Sequence, residues 1–191
     1  MNHPYGDRQR DPLLDPLLDP LLDAAAVFAQ DPAVEAFDNW SMPTIPVSAG
    51  ALLFDEAGGL LILKPTYKSG WTIPGGIMEA DGESPWDACR REVREETGLT
   101  VTSGRLLCVD TRPARPGRRL GLRYLFHCGA VTPQDKGRIR IQREEISQYR
   151  FAPLPEALDL LRGPIRRRVR EGLHSAGCVY LEDGRRVDGV G

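Results

Sequence analysis

The stretch GGIMEADGESPWDACRREVREETGL, from Gly75 to Leu99, decides the fold class predicted for this chain of 191 residues. Ser84 is a favourable helix N-cap, and a proline follows it at the first helical position. Gly98 is a favourable residue for ending a helix, because glycine adopts the left-handed conformation easily. The sequence therefore predicts a helix from about Pro85 to Thr97.

Three glutamates crowd the second half of this predicted helix. At ~100° per residue, Glu92, Glu95 and Glu96 fall within an arc of roughly 100°, at the edge of the predicted buried face. Glu92 and Glu96 are a like-charge i,i+4 pair, costing about 0.2–0.5 kcal/mol, and the helix dipole disfavours anions in the last turn. Arg91 offsets part of this cost. The pattern indicates a missing cation, for which Mg²⁺ bound by oxygen ligands is the obvious candidate. A solvated surface helix is the alternative that "REVREE" alone leaves open.

The whole stretch closely resembles the Nudix box, written G-x5-E-x7-R-E-U-x-E-E-x-G-U with U a bulky aliphatic residue. From Glu83 onward every fixed position matches. Between Gly76 and Glu83 stand six residues in place of five, so either Ala80 or Asp81 is extra. Loops absorb such an insertion at little cost. The resemblance extends from about residue 45 to residue 161 and implies an α/β (α+β) fold, a Nudix-type α/β/α sandwich with a mixed β-sheet.

The resemblance implies metal ligands in this chain. Glu92, Glu95 and Glu96 would bind the ion together with the backbone carbonyl of Gly76. The family also often uses an acidic residue from a late loop. Glu144 and Glu145 both stand before a predicted strand, and the sequence does not choose between them; Glu145 is taken as the candidate ligand. The implied cofactor is Mg²⁺, with Mn²⁺ as the alternative.

The resemblance also implies a hydrolase that cleaves a nucleoside diphosphate linked to another group. Glu92 or Glu95 would act as general base, and Arg91 would orient a glutamate. Glu83 would support the loop or reach a second metal through water. The expected activity is Mg-dependent pyrophosphatase activity on ADP-ribose, a nucleotide sugar or a nucleoside triphosphate, because a cation neutralises the charge of a diphosphate.

Two other functions stay open from the resemblance. A Nudix-fold module could bind a nucleotide as a sensor without cleaving it, although such proteins usually lose the box carboxylates that this chain keeps. A related isomerase acting on prenyl diphosphates needs a catalytic cysteine. Cys89 is expected within the box helix toward the core, and neither Cys108 nor Cys128 has the expected surroundings, so the isomerase is disfavoured.

Candidate substrate-binding residues lie between two predicted strands and near the first hairpin. An arginine-rich loop could hold terminal phosphates by bidentate contacts. Its arginines are Arg112, Arg115, Arg118, Arg119 and Arg123. Arg112, Arg115 and Arg119, with Trp71 stacking on a base, are the predicted substrate contacts. A solvated hairpin tip and a core tryptophan are the ordinary alternatives.

Outside the box, apolar runs predict strands on both sides of the helix. "IPVSAGALLFD" and "LLILKP" predict a hairpin, and "WTIPGG" is expected to end in a turn. "GRLLCVDTR", "LGLRYLFHCGAV", "ISQYRFAPL" and "CVYLEDG" predict further strands, and "PEALDLL" and "PIRRRVREGLHSA" predict helices. The predicted organisation is an N-terminal extension over residues 1–44 with DPLL repeats, a Nudix domain over 45–163, and a helix and short strand over 164–191 packing on it.

Composition favours a cytoplasmic protein, and the resemblance to the Nudix box implies a small-molecule nucleotide as partner. The net charge of −2 gives no case for nucleic acid or a membrane surface. Four cysteines without zinc-ligand spacing fit a reducing compartment, where they are expected to be buried and inert. A homodimer is the open alternative to a monomer.

Overall fold

The structure is a computed structural model that describes residues 44–80 and 82–190. The predicted N-terminal extension, with its DPLL repeats, lies outside the described residues. The strands are β1 (Val47–Phe54), β2 (Leu60–Pro65), β3 (Gly75–Ile77), β4 (Arg105–Arg112), β5 (Gly121–Ala130), β6 (Ile146–Ala152), β7 (Val179–Glu182) and β8 (Arg185–Arg186). The helices are α1 (Pro85–Thr97), α2 (Pro133–Lys136), α3 (Leu154–Leu160) and α4 (Gly163–His174).

The strands form one mixed sheet in the order β6-β2-β1-β5-β4-β7-β8, with β3 paired to β1. β1 and β5 are parallel, as are β4 and β7, whereas the other pairs are antiparallel. The predicted β1–β2 hairpin is confirmed, and the two strands predicted on either side of the arginine-rich loop, β4 and β5, pair antiparallel. In the β1–β2 turn, Asp55 Oδ1 accepts hydrogen bonds from Ala57 N and Gly59 N.

Helices cover both faces of the sheet, since the buried apolar residues form two clusters. One cluster joins Ala88, Cys89 and Val93 of α1 to alternate residues of β1 and β2. The other joins Ala157 of α3 and Val169 of α4 to the intervening residues of the same two strands, whose side chains point to the opposite face of the sheet. The predicted α/β/α sandwich with a mixed sheet is therefore confirmed.

Several local predictions differ from the structure. "WTIPGG" does not end in a turn: Gly75 and Gly76 begin β3 and pair with Gly50 and Ala49 of β1. The short helix α2 and the short strand β8 were not predicted. Residues 164–191, predicted to pack on the domain, supply most of α4 and all of β7 and β8; the predicted domain bounds themselves stay a prediction.

The cysteines only partly match the expectation of burial. Cys89 and Cys108 are buried, Cys128 is half-buried and Cys178 is exposed, and all four carry free thiols. Burial raises the pKa of the Cys108 thiol to about 12, so this cysteine is an inert core residue. Among the described residues, no helix combines the length and the apolar character that a membrane crossing requires.

Candidate functional site

Helix α1 has the bounds and caps that the sequence predicts. Ser84 Oγ accepts a hydrogen bond from Asp87 N at 3.1 Å and donates one to the Asp87 carboxylate at 2.7 Å. Gly98 ends the helix with φ of 75°, and its N–H donates to Arg94 O. The buried face includes Cys89, Val93 and Thr97. These caps fix the register of the glutamates along the helix.

Arg91 is the centre of a polar network on the exposed edge of α1. Its Nε and Nη2 donate to the two oxygens of Glu83 at 2.8 and 3.1 Å. Its Nη1 donates to Glu92 at 3.0 Å and to Glu95 at 2.9 Å, and Nη2 also reaches Ile77 O at 3.0 Å. The guanidinium therefore holds three carboxylates and the end of β3 in fixed positions, in keeping with its predicted orienting role.

Glu83 connects this network to the loop before the helix. One of its oxygens accepts the N–H of Glu79 at 2.8 Å. The hydrogen bonds from Arg91 lower the pKa of Glu83, so this carboxylate is ionised. These contacts match the predicted support of the loop.

Glu96 is the most deeply buried of the three box glutamates, with 5% of its surface exposed. Its Oε2 accepts the N–H of Gly75 at 2.8 Å, which joins the end of α1 to β3. Burial, together with the neighbouring charges of Glu92 and Glu145, raises the pKa of Glu96 to about 8, against the lowering effect of the hydrogen bond from Gly75 N–H. Among the described residues no basic side chain forms an ion pair with Glu96, although the charge of Lys68 acts on it.

Glu92 lies against the backbone of Gly76. A Cβ added to Gly76 would stand 2.2 Å from Glu92 Oε1, so only glycine leaves room for this carboxylate. Burial raises the pKa of Glu92, and Glu95 and Glu145 add to the rise against the lowering effect of Arg91. The structure thus brings Gly76 and Glu92 together, and their roles as metal ligands stay a prediction. Glu95 is more accessible, with 46% of its side chain exposed.

Glu145 is brought close to the helix by its place in the loop before β6. The backbone oxygen of Glu145 accepts the N–H of Thr66 at 2.8 Å, and that of Glu144 accepts the Thr66 hydroxyl at 2.8 Å. The charge of Glu145 raises the pKa of both Glu92 and Glu96, so it acts on the glutamates of α1. Glu145 is itself exposed, and its role as a metal ligand stays a prediction.

The donor set fits a hard divalent cation. It combines carboxylate oxygens with the glycine backbone of β3, which approaches Glu92 more closely than any residue with a Cβ allows. The carboxylates of Glu92 and Glu95 accept hydrogen bonds from Arg91, and that of Glu96 accepts one from the N–H of Gly75. Within residues 44–80 and 82–190, no three acidic, histidine or cysteine side chains already stand as a converged metal site.

A cavity of about 390 Å³ has Gly75 and Gly76 of β3 in its wall, and none of the described residues that line it belongs to α1. Of the predicted substrate contacts, Arg112 lines this cavity. Arg115 does not line it: its side chain is 61% exposed and stands 3.8 Å from Asp183. Arg119 is exposed and also lies outside the cavity wall. Their roles in binding stay predictions.

Trp71 is half-buried and packs against the second apolar cluster. The ammonium of Lys64 and the guanidinium of Arg150 each lie 5.9 Å from its ring centre. Part of the Trp71 side chain is therefore buried by core packing. Its stacking on a nucleotide base stays a prediction.

Sequence reasoning missed three cationic residues of the cavity wall, Lys68, Arg162 and Arg168. A signal for Arg168 was present in the sequence. Ile165, Arg168 and Gly172 have the i, i+3, i+7 spacing of one helix face, so Arg168 lies on the buried stripe of α4. Lys68 and Arg162 stand outside regular elements, where no periodicity places them.

The comparisons with known proteins identify the domain. A family model described as the NUDIX domain matches residues 44–173, which is more than half of the chain. The chain is 39% identical over 75 residues to a "MutT-like protein" of Streptomyces ambofaciens, covering 39% of this chain and 48% of that one.

Two further proteins extend this likeness. The chain is 34% identical over 89 residues to an "RNA pyrophosphohydrolase" of Xanthomonas campestris pv. campestris, covering 47% of this chain and 39% of that one. The chain thus spans about half the length, or less, of these curated relatives. The solved NUDIX domain of Shewanella oneidensis NrtR, complexed with ADP ribose, superposes with a TM-score of 0.59 at 18% identity, covering 73% and 94% of the two chains. At that identity the structural likeness shows the fold alone.

Proposed function

Since the chain belongs to the NUDIX domain family, we propose that it is a divalent-metal-dependent pyrophosphohydrolase acting on a nucleoside diphosphate linked to another group. The observation that carries the proposal is the approach of the Gly76 backbone to Glu92, beside the buried carboxylate of Glu96. A site that crowds carboxylates against a side-chain-free backbone is suited to hold a cation and, next to it, a phosphate.

Glu92 and Glu96, with Glu145 from the loop before β6, would hold the ion, and Mg²⁺ is the candidate with Mn²⁺ as the alternative. When bound, such an ion neutralises phosphate charge and makes water a better nucleophile near neutral pH. Arg91 keeps Glu92 in place through its Nη1 hydrogen bond.

Glu95 and Glu92 are the two candidates for the general base. Glu95 is favoured, because nearly half of its side chain is exposed and solvent water reaches it. Arg91 fixes the Glu95 carboxylate at 2.9 Å and leaves its other oxygen available to accept a proton.

The substrate candidates are ADP-ribose, nucleotide sugars and nucleoside triphosphates. The names of the relatives support hydrolysis of pyrophosphate bonds, since one is called an RNA pyrophosphohydrolase. The NUDIX domain of NrtR was solved in complex with ADP ribose, which keeps ADP-ribose among the candidates. The alternative function is a nucleotide-binding module that does not cleave its ligand.

A substrate panel with and without metal tests the proposal. The panel contains ADP-ribose, sugar nucleotides, dinucleoside polyphosphates and nucleoside triphosphates, each incubated with Mg²⁺ or with EDTA. The parent protein is expected to cleave at least one of them with Mg²⁺ and none with EDTA. The Glu92→Gln/Glu96→Gln variant is expected to lose at least about 10²-fold in rate, whereas Glu56→Gln, an exposed glutamate on the β1–β2 turn, keeps the parent rate.

Two results would speak against hydrolysis. Equal rates for the parent and the Glu92→Gln/Glu96→Gln variant would remove these carboxylates from the reaction. Binding of ADP-ribose by calorimetry, together with no cleavage of any panel compound, would favour the nucleotide-binding module.

A further inference from the structure

The cavity beside β3 is unusually cationic. Its wall carries six basic residues: Lys68, Arg112, Arg118, Arg123, Arg162 and Arg168. Asp183 is the one acidic residue among those that line it in the described part of the chain. Asp183 already pairs with Arg167 at 3.0 Å. Positive charge in the cavity is therefore in large excess over the negative charge that faces it.

Arg123 shows that this charge reaches deep into the fold. It lies on β5 between Ser48 of β1 and Asp110 of β4, and only 9% of its surface is exposed. Its Nη1 donates to the carbonyl oxygens of Pro46 and Leu122. Among the described residues no carboxylate forms an ion pair with it. Burial and the neighbouring arginines lower the pKa of Arg123 to about 10.

Arg112 and Arg118 are also without carboxylate partners in the described part of the chain. The Nε atoms of both are buried and have no hydrogen-bond acceptor. Arg118 donates through Nη2 to Pro113 O at 3.1 Å. Burial, followed by the charge of Arg118, lowers the pKa of Arg112. Three arginines that repel one another and lack anions indicate a site for an external anion.

The buried carboxylate of Asp110 is already paired with Arg168. The Nε of Arg168 stands 3.0 Å from Asp110 Oδ2, as an ion pair without an aligned hydrogen bond. Asp110 Oδ1 accepts the N–H of Gly184 at 2.7 Å. Asp110 is engaged by Arg168 and Gly184 and acts on Arg123 only through its charge, so it forms no ion pair with Arg112, Arg118 or Arg123.

The start of helix α4 adds to the positive field. Arg162, Pro164 and Ile165 line the cavity, and the first turn of this twelve-residue helix has no side-chain cap. An uncapped helix N-terminus presents free N–H groups and the positive end of the helix dipole. The helix start and the arginines of β4 and β5 therefore face the same cavity.

We infer that this cavity binds a phosphate group that the substrate carries in addition to the diphosphate that is cleaved. The inference rests on the proposed function, because Gly75 and Gly76 form a wall common to the cavity and to the glutamate cluster. A diphosphate held at Glu92 and Glu96 would reach the cavity with its next group. Arginine forks match phosphate oxygens in geometry and charge.

A binding experiment without metal separates this inference from the hydrolase function. Inorganic tripolyphosphate is titrated by calorimetry in EDTA into three variants and the parent. Arg112→Gln/Arg118→Gln is expected to weaken binding at least about 10-fold, since each lost charged hydrogen bond is worth about that factor. Arg105→Gln/Arg170→Gln, which removes two exposed arginines of β4 and α4, is expected to bind like the parent. Glu92→Gln/Glu96→Gln is also expected to retain binding.

Steady-state kinetics then identify the source of the phosphate. ATP is compared with ADP, and 2′-phospho-ADP-ribose with ADP-ribose. In Arg112→Gln/Arg118→Gln, KM is expected to rise about 10-fold for the more phosphorylated member of at least one pair, with kcat changed less than about 2-fold. A response to ATP assigns the cavity to a phosphate chain, and a response to 2′-phospho-ADP-ribose assigns it to a phosphomonoester.

The melting temperature controls for a structural role. Removing repelling arginines is expected to leave it unchanged or raised, whereas a loss of stability would mean that the arginines serve the fold. The inference is overturned if the parent does not bind tripolyphosphate, or if Arg112→Gln/Arg118→Gln binds it as the parent does. If tripolyphosphate binds through these arginines and no compound is cleaved, the result supports a phosphate-binding cavity and contradicts the hydrolase function.

Discussion

Replacing Gly76 with alanine tests the site without disturbing the fold. The new Cβ would stand 2.2 Å from Glu92 Oε1 and 2.4 Å from Glu92 Cδ, whereas real Cβ contacts under 3.0 Å essentially do not occur. The Glu92 carboxylate therefore has to retreat by roughly 1 Å, and a misplacement of about 1 Å costs about 10²-fold in rate. That factor corresponds to about 2.7 kcal/mol of lost transition-state stabilisation.

The fold is expected to tolerate Gly76→Ala, because Gly76 does not have a positive φ and the contact is with the end of a flexible side chain. Replacing glycine in such a conformation stabilises a protein by up to about 1 kcal/mol. The neighbouring change Gly75→Ala is the opposite case. Gly75 has φ of 142°, and its Cβ would stand 2.2 Å from the backbone oxygen of Ala49. It is expected to destabilise the protein by about 2–4 kcal/mol.

The assay combines kcat/KM on the substrate found in the panel with urea denaturation. Gly177→Ala is the control, because no atom lies within 4 Å of its added Cβ. Gly76→Ala is expected to lose about 10²-fold in kcat/KM at unchanged or higher stability. Parent-like kcat/KM in Gly76→Ala would refute the reasoning, because Glu92 could then be displaced without consequence.

Three further predictions follow from the polar network and the core. Arg91→Lys keeps the charge but not the fork that holds several carboxylates, so kcat/KM is expected to fall about 10–100-fold; kinetics equal to the parent would contradict this. Leu107→Ala removes a side chain with 0% exposure and is expected to cost about 2–5 kcal/mol in urea denaturation; a smaller loss would mean that the core collapses around it. Asp55→Ala is expected to cost about 1–3 kcal/mol at neutral pH, since it removes the hydrogen bonds of the β1–β2 turn. The hydrogen bond from Lys136 lowers the pKa of Asp55 from 3.8, so the stability it provides is present above pH 3.8 and lost as the pH falls through the lowered value; a stability difference that stays constant down to pH 2 would count against this.

The parts of the fold that local chemistry determines could be predicted from the sequence. Ser84 and Gly98 cap α1 through contacts with residues three or four positions away, so the helix bounds follow from short-range pattern alone. The apolar runs of β1, β2, β4 and β5 likewise predict strands without knowledge of their partners. The crowding of Glu92, Glu95 and Glu96 follows from the helix period.

The features that depend on distant pairing could not be predicted. Gly75 and Gly76 form a strand because they pair with β1, whereas the Pro-Gly-Gly end of "WTIPGG" alone indicates a turn. The burial of Glu96 follows from its hydrogen bond to that strand. Arg123 is buried because β5 is central in the sheet, whereas its sequence position beside an arginine-rich loop suggests exposure.

Diffraction from crystals soaked in Mn²⁺ tests the central claim most directly, because the anomalous signal of manganese locates the ion without reference to any substrate. The account predicts a peak bound by Glu92 and Glu96 next to the Gly76 backbone, and its loss in crystals of Glu92→Gln/Glu96→Gln. Full occupancy of an ion elsewhere on the protein, with none at these carboxylates, would contradict the account.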